Sequence, residues 1–263
     1  MTLLTTETAD RFSPPPRGFA NPTTWFVVLL VLWFALLALF YFVPEIDIAV
    51  SHLFFEPEAC GATAEAGRIC GHFPHARLKL LVAIRQILFY LPVVVAVYFV
   101  YQLIANLKHK GPGYNWRKTR DYSTALVSLV VGPYLLVNLF LKQISNRPRP
   151  YETDIFGGRE FFTPAGDFSG ACDGNCSFVS GEAAGAGWIA CLIVLMPKRL
   201  RLVVGIPLII LSFVSPMLRT FFGGHFFSDV VLGWLSSPVV FAGVAICFQM
   251  SQRAIKQNPE TTL

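Results

Sequence analysis

The sequence predicts an all-α, polytopic membrane protein with six transmembrane helices. Of its 263 residues, 54% are hydrophobic and only 14% are charged, whereas a soluble domain usually has about 25% charged residues. The apolar residues occur in blocks, and a helix that crosses a bilayer needs roughly 20 of them in a row. Three short polar clusters, residues 142–150, 178–182 and 219–229, interrupt the second half of the chain, and each lies at one end of an apolar block.

The six predicted spans explain the order of apolar and polar segments along the chain. The first begins after Asn21-Pro22, a typical helix start, and ends at Pro44. The third span runs into the first polar cluster, the fourth starts at the second cluster, and the fifth runs into the third. The predicted spans are residues 24–43, 79–104, 122–141, 180–196, 202–218 and 230–250.

Short polar tails flank the predicted membrane domain, which comprises residues 21–252. Residues 1–20 are polar, contain three consecutive prolines and lack the pattern of a signal peptide, so we expect a disordered cytoplasmic tail. Residues 253–263 are expected to form a second cytoplasmic tail. Between the first two spans, residues 46–55 alternate in polarity, which fits either a short helix on the membrane surface or an ordinary loop.

Basic residues indicate how the protein is oriented. The N-terminal tail, the 105–121 and 197–201 loops and residues 251–263 hold 12 of the 21 Lys and Arg residues. The two loops are short and dense in positive charge, which is typical of the cytoplasmic side. Both termini are therefore expected to be cytoplasmic, with all three polar clusters on the opposite face. Because the net charge of +5 follows this topology, it is no evidence for a nucleic-acid partner.

Four of the six cysteines form two close pairs in the long loops predicted on the outer face. Cys60 and Cys70 share the first loop, and Cys172 and Cys176 share the second. Close pairs on that side favour two disulfide bonds, because extracytoplasmic compartments are oxidising. Metal binding by these cysteines is the alternative, although no histidine accompanies the second pair.

The first two polar clusters contain residue types that bind phosphate. Lys142 and Arg149 emerge together beyond a helix end, and their charges suit phosphate oxygens. Alternatively, these two residues and Arg147 are anchors that face lipid headgroups. In the second cluster, Ser180 is a natural N-cap and Gly181 permits close approach of a ligand, which predicts an anion site. The glycines and alanines from this position onward recur at four-residue spacing, which predicts close helix packing.

The third cluster contains a candidate nucleophile. His225 and Asp229 are four residues apart, so at a helix start they would share one face and lie within reach of each other. A carboxylate that holds one imidazole nitrogen makes the other nitrogen a better nucleophile. Arg219, six residues before the histidine, adds another donor for phosphate.

The order and spacing of these residues resemble the type 2 phosphatidic acid phosphatase (PAP2) superfamily of six-helix membrane lipid phosphatases. The match consists of Lys-x6-Arg-Pro, Ser-Gly and Arg-x5-His-x3-Asp, and it covers spans three to six. The resemblance implies the family's core bundle, attack on phosphorus by His225, orientation of that ring by Asp229, and no metal or other cofactor. It also implies that the phosphate is bound by Lys142, Arg149, Ser180, Gly181 and Arg219.

One position departs from the family pattern. The second motif of the family usually ends in a histidine that acts as general acid, and this chain has Glu182 there. Three interpretations stay open. The carboxyl group is a substitute acid with a raised pKa, it serves a leaving group that needs little help, or it marks lost activity.

The predicted function is removal of a phosphate from a lipid headgroup at the periplasmic face of a bacterial inner membrane. Residues 156–165 and 175–182 are similar to the branch that contains lipid A phosphatases. Prenyl pyrophosphate and glycerophospholipid phosphates are further candidate substrates. The alternatives are a lipid phosphotransferase with the same phosphohistidine, and a non-catalytic lipid-binding or transport protein.

Overall fold

The structure is a computed structural model that describes residues 21–62, 67–109 and 113–257. Within these residues, five helices are long and apolar enough to cross a membrane, and a further apolar helix is shorter. The predicted tail of residues 1–20 lies outside the described residues, and the last helix continues into the predicted C-terminal tail as far as Gln257. In chain order the elements are α1 (Pro22–Phe42), α2 (Glu45–His52), β1 (Glu56–Pro57), β2 (Gly71–His72), α3 (Lys79–Lys108), α4 (Trp116–Ile144), α5 (Gly181–Leu195), α6 (Arg201–Phe221) and α7 (Phe227–Gln257).

Helix α1 begins at the signal that the sequence contains. Asn21 caps it by accepting a hydrogen bond from the Thr23 amide at 3.1 Å, and Pro22 occupies the first turn. The Trp33 indole donates to the Leu232 carbonyl oxygen of α7 at 3.0 Å. The helix is therefore tied to the bundle along one side, while most of its large apolar side chains stay exposed, as expected where lipid surrounds a protein.

Helix α5 lies at the centre of the bundle. It spans 15 residues, too few to cross a hydrocarbon core of about 30 Å at about 1.5 Å per residue. It packs on α3, α4, α6 and α7, so protein surrounds it and its ends need not reach the membrane surfaces. The fourth predicted span is thus a helix, but shorter than a full crossing.

Small residues allow α5 to pack this closely. A Cβ at Gly187 would lie 2.2 Å from the Trp234 carbonyl oxygen of α7, and a Cβ at Gly185 would lie 3.2 Å from a ring carbon of Pro92 on α3. The close helix packing that the glycine and alanine spacing predicted is therefore confirmed.

Two loops cover the end of the bundle that carries the polar clusters. The first loop contains α2 and the antiparallel pair of β1 and β2, and a Cys60–Cys70 disulfide closes it. The second loop follows α4 and contains a Cys172–Cys176 disulfide. Both predicted disulfides are present, and they leave no free thiolates in these pairs for a metal ion.

Four phenylalanines join these loops to the third polar cluster. Phe55 and Phe73 from the first loop, Phe156 from the second and Phe226 beside the candidate nucleophile are buried against one another. Gly223 has a φ of +67°, and a Cβ there would come within 2.4 Å of the Phe73 ring. The first loop is therefore packed directly on the turn that carries the third cluster.

The segment after α1 forms helix α2, which excludes the ordinary-loop alternative. Its buried face is polar, because Asp47 and Ser51 are inaccessible to solvent. Leu53, next to its C-terminal end, is largely exposed. A helix that lies on a membrane buries its apolar face in lipid. Helix α2 instead packs on protein, because Ile46 and Ile48 lie against buried core residues and Asp47 directs its carboxylate inward.

Candidate active site

Ser180 caps the start of α5 at the centre of the site. Its hydroxyl accepts a hydrogen bond from the Ala183 amide at 3.3 Å, and its amide donates to the Asp229 carbonyl oxygen at 3.0 Å. The second bond joins the first turn of α5 to the first turn of α7. The other amides of the first α5 turn lack intrahelical partners, so this end of the helix favours an anion.

Gly181 allows two helices to approach each other. A Cβ at this position would lie 2.5 Å from the Asn138 Oδ1 atom on α4. The Asn138 amide in turn donates to the Pro133 carbonyl oxygen at 2.7 Å, within the π-helical stretch Val130–Leu141. The glycine is therefore needed for the contact between α4 and α5, and its contact with phosphate stays a prediction.

A tight turn brings Arg219 and His225 together. Helix α6 ends at Phe221, and the amides of Gly224 and His225 donate back to the Arg219 carbonyl oxygen at 2.8 and 3.3 Å. A Cβ at Gly224 would lie 2.7 Å from an Nη atom of Arg219. This glycine therefore lets the guanidinium group fold over the turn, next to the imidazole.

The imidazole of His225 is buried, and one of its nitrogens is held. Its Nδ1 atom lies 2.8 Å from the Ser177 carbonyl oxygen. Because a carbonyl oxygen only accepts hydrogen bonds, Nδ1 carries the proton and Nε2 carries the lone pair. Among the described residues, Nε2 has no hydrogen-bond partner. This tautomer is the one that a nucleophilic histidine requires.

Burial also keeps the His225 ring uncharged. Loss of water around the ring lowers its pKa to about 4, and the positive charges of Arg219 and Lys142 act in the same direction. The Asp229 carboxylate opposes them. The imidazole is therefore neutral near neutral pH, and its lone pair is available.

Asp229 reaches the imidazole through Ser177. Its Oδ2 atom lies 3.8 Å from His225 Nδ1, which is beyond hydrogen-bond distance. That oxygen accepts hydrogen bonds from the Ser177 hydroxyl at 2.5 Å and from the Phe226 amide at 3.0 Å. The predicted arrangement on one helical face is wrong, because His225 precedes α7. Ser177 bridges the pair, with its hydroxyl on the carboxylate and its carbonyl group on the ring.

Two basic residues of the first cluster meet at the second loop. Lys142, in the last turn of α4, donates to the Asn175 side chain at 3.3 Å, and Arg149 donates to the Asn175 carbonyl oxygen at 2.9 Å. Both side chains are partly buried. Lys142 interacts electrostatically with Arg149 and Arg219. The structure therefore brings the three clusters together at one end of the bundle.

Two arginines engage Glu182. Arg85 of α3 binds it through two nitrogens, since Nε donates to Oε2 at 2.9 Å and an Nη atom donates to Oε1. Arg219 Nε lies 3.4 Å from Oε1 without a hydrogen bond. The sequence placed Arg85 in a predicted span, where an ionisable residue usually has a functional partner, but it did not identify that partner.

Arg147 is the central residue that the sequence failed to place. It is fully buried, so the lipid-anchor alternative is wrong for this side chain. Its guanidinium group donates to Asp47 and to Asp229, each at 2.7 Å, and to the Ser228 hydroxyl at 2.8 Å. The sequence contained one sign of this contact. Asp47 is an acidic residue between two isoleucines in a mostly apolar segment, which indicates a buried carboxylate that needs a positively charged partner.

A metal site is not evident within residues 21–62, 67–109 and 113–257. No three His, Cys, Asp or Glu side chains are grouped there as ligands. The site instead presents fixed cations, backbone amides and one neutral imidazole, which are the groups that phosphoryl transfer through a histidine uses. Chemistry without a cofactor stays a prediction of the sequence.

Known proteins that resemble this chain identify its family. The PAP2 superfamily matches residues 122–253, which contain all three polar clusters. A lipid A 4′-phosphatase of Rhizobium leguminosarum is 47% identical over 226 residues, covering 86% of this chain and 97% of that protein. One of Rhizobium etli is 46% identical over 235 residues, covering 88% and 91%. A solved PAP2-type phosphatidylglycerolphosphate phosphatase of Bacillus subtilis aligns at a TM-score of 0.46 and 17% identity, over 86% of this chain and 96% of that one. The protein described here belongs to the PAP2 superfamily.

Proposed function

We propose that the protein is a membrane-embedded lipid phosphatase that hydrolyses a phosphate ester of lipid A through a phosphohistidine on His225. The observation that carries the proposal is the neutral, buried imidazole, whose free Nε2 atom lies in a site with Lys142, Arg149 and Arg219. Relatives named as lipid A 4′-phosphatases match most of the chain and support lipid A as the substrate.

The first chemical step transfers the phosphoryl group to the protein. Nε2 of His225 attacks phosphorus, the N–P bond forms, and the P–O bond to the lipid oxygen breaks. Basic side chains and the amides at the start of α5 stabilise the charge on the equatorial oxygens. The Nδ1 proton stays on the ring, where the Ser177 carbonyl group holds it. The nearby Asp229 carboxylate stabilises the positive charge that the ring gains.

The second step returns the site to its starting state. Water attacks phosphorus, the N–P bond breaks, and inorganic phosphate leaves with the oxygen of that water. The leaving lipid oxygen takes up one proton in the first step, and the water gives up one proton in the second. A single group that donates and then accepts a proton would balance both steps.

Glu182 has two candidate roles in this scheme. As a general acid it would protonate the leaving oxygen and then take a proton from water, as the family position implies. Its contacts with Arg85 and Arg219 favour the other role, in which the carboxylate holds these guanidinium groups for the substrate. For the acid role, the carboxyl group must take up a proton, which requires that Arg85, which holds it through two nitrogens, releases at least one of its oxygens.

We further propose that the site faces the periplasm of a bacterial inner membrane, with both termini cytoplasmic. Basic residues are concentrated in the 105–121 and 197–201 loops, at the opposite ends of the helices. The loops beside the site contain both disulfides, which suits an oxidising compartment.

A side-by-side assay of the purified protein in lipid nanodiscs tests this function. The substrates are lipid A, a prenyl pyrophosphate and a glycerophospholipid phosphate, each without an added acceptor. We expect release of free phosphate from lipid A and loss of one phosphate from the lipid in its mass spectrum. Release from none of the three lipids at any pH would refute the proposal, and transfer only to an added lipid acceptor would indicate the phosphotransferase.

His225→Ala tests the intermediate. Loss of the nucleophile should lower kcat by about 10³-fold or more, because residual binding groups cannot replace it. The wild-type protein should form an acid-labile, base-stable phosphoprotein during turnover, and the variant should not. Phosphoprotein of equal amount in the variant would assign the nucleophile to another residue.

A further inference from the structure

A buried network connects the first outer loop with the candidate nucleophile. Asp47, Arg147 and Asp229 are each 0% exposed. Arg147 donates to Asp47 Oδ2 and to Asp229 Oδ1, each at 2.7 Å, and these bonds join residues 100 and 82 positions apart. Burial of charges is costly unless they are paired and hydrogen-bonded. The network therefore places strict demands on the position of each member.

Further hydrogen bonds restrict the guanidinium group to one position. The Ser228 hydroxyl accepts from Arg147 Nη1 at 2.8 Å and donates to Asp47 Oδ2 at 2.5 Å, and the Ser228 amide donates to Asp47 Oδ1 at 2.8 Å. Arg147 Nε donates to the Thr163 carbonyl oxygen at 2.8 Å, and its charge lies 4.4 Å above the Phe226 ring. Asp47 thus binds one terminal nitrogen of the guanidinium group, while Ser228 and Asp229 share the other.

Asp229 and Ser177 connect the guanidinium group of Arg147 to the imidazole of His225 through hydrogen bonds. Its Oδ1 atom is bound by Arg147, which leaves Oδ2 for the Ser177 hydroxyl and the Phe226 amide. The Ser177 carbonyl oxygen holds Nδ1 of His225. A carboxylate that lost Arg147 would keep only its two Oδ2 bonds, and Ser177, which also contacts the ring, would be held less rigidly.

We propose that Asp47 is a positioning residue of the active site, which acts through Arg147 and Asp229 to fix the orientation and the tautomer of His225. The inference rests on the proposed function, because orientation of the nucleophile is measured by turnover. Helix α2 would then support catalysis by orienting His225, although the first loop, which contains α2, includes none of the three polar clusters.

The proposal differs from a purely structural role for α2 in what it predicts for the folded enzyme. A structural role lowers the amount of folded protein and leaves kcat of the folded fraction unchanged. A positioning role lowers kcat and leaves KM unchanged, because Lys142, Arg149 and Arg219 bind the phosphate as before.

Asp47→Asn is the principal test, since it keeps the size of the side chain and an acceptor for the Ser228 amide but removes the charge. We expect kcat for lipid phosphate to fall about 10- to 100-fold, as large as the loss when a residue that orients a metal ligand is removed, with KM unchanged. Glu45→Gln is the matched control, because Glu45 is exposed on the same helix, and it should keep the wild-type kcat. A wild-type kcat in Asp47→Asn, or a change confined to KM, would overturn the proposal.

A double-mutant cycle tests whether Asp47 acts through Asp229. In an Asp229→Asn background, the Asp47→Asn change should lower kcat by no more than about twofold, because its route to the imidazole is already broken. If the fold-reduction in kcat of the double variant equals the product of the two single reductions, the two residues act independently and the proposal is overturned.

Ser228→Ala decides the matter if Asp47→Asn does not fold, because it retains every charge of the network. It removes the hydroxyl that joins Asp47 to Arg147, and we expect a several-fold fall in kcat at constant KM. An unchanged kcat would overturn the proposal. A wild-type protein without phosphatase activity would refute the proposed function itself, whereas an active wild type with an equally active Asp47→Asn variant refutes only this inference.

Discussion

Two clusters of arginine and carboxylate side chains contribute to the site, and their compositions are opposite. The inner cluster has two carboxylates around one guanidinium group, for a net charge of one negative unit. The outer cluster has two guanidinium groups around one carboxylate, for a net charge of one positive unit. The inner cluster consists of Asp47, Arg147 and Asp229, and the outer cluster consists of Arg85, Glu182 and Arg219.

Exposure and hydrogen bonding separate the clusters further. Every side chain of the inner cluster is 0% exposed. In the outer cluster Arg85 is 25%, Glu182 15% and Arg219 12% exposed, and Arg219 Nε lacks a hydrogen-bond partner among the described residues. A closed cluster with matched partners holds geometry, whereas an open cluster with surplus positive charge and a free donor suits an incoming anion.

Among substitutions in the two clusters, Arg219→Ala should have the largest effect on catalysis and little effect on folding. Loss of a guanidinium group that stabilises a transferring phosphoryl group lowers kcat on the order of 10³-fold. The free energy of unfolding should stay close to that of the wild type, because Arg85 still pairs Glu182 and no carboxylate is left alone. Steady-state kinetics and thermal unfolding in detergent measure both quantities. Arg159→Ala, at an exposed position of the second loop, is the control and should keep wild-type kcat.

Arg147→Met should differ from Arg219→Ala by lowering the free energy of unfolding of the protein. Removal of the shared guanidinium group leaves two buried carboxylates unpaired, so the free energy of unfolding should fall by about 3 to 5 kcal/mol. A wild-type unfolding midpoint for this variant, or an equally large loss for Arg219→Ala, would remove the distinction between the clusters.

The same Arg147→Met variant should also change the pH dependence of the folded enzyme. Without Arg147, Asp229 loses its positively charged partner, and its negative charge favours protonation of His225 more strongly. Arg219 and Lys142 still disfavour a charged imidazole. The pKa of His225 should therefore rise from about 4. Since only the neutral imidazole attacks, the acid limb of kcat/KM should move to higher pH than in the wild type on the same substrate. A limb that stays in place or moves down would contradict this.

Glu182→Gln should have a smaller effect that depends on the leaving group. If Glu182 is the general acid, the change slows release of alcohol leaving groups by about 10²-fold and scarcely affects phosphate leaving groups such as that of a prenyl pyrophosphate. Equal slowing of both substrates would assign it to holding Arg85 and Arg219. Glu45→Gln is again the matched control.

Helices and disulfides of this protein follow from patterns that are local in the sequence. Apolar blocks locate the five long spans, and the close cysteine pairs locate both disulfides. The predicted bounds of the helices differ from the observed ones, because a helix can continue with polar residues beyond the hydrocarbon core. Helix α4, for instance, begins at Trp116, before the apolar block at residue 122 that the prediction used.

The candidate site was predicted in its members but not in its connections. The three clusters meet at one end of the bundle, and Nε2 of the predicted His225 has no hydrogen-bond partner within the described ranges. The sequence did not reveal that Ser177 lies between His225 and Asp229, or that Arg85 from another helix binds Glu182. Motif spacing orders residues along one chain segment, and it carries no information on which side chains from distant segments fill the gaps between them.

The sequence by itself determined the membrane class and the order of the apolar spans, because hydropathy is a property of neighbouring residues. The membrane side of the polar clusters and the residues that bind phosphate stay predictions from loop charge and motif spacing. Only the tertiary structure decided that α2 turns Asp47 inward and that Arg147 serves two carboxylates. Those contacts join residues 100 and 82 positions apart. Their energy depends on exclusion of water from all partners at once, which happens only when the loops close over the bundle.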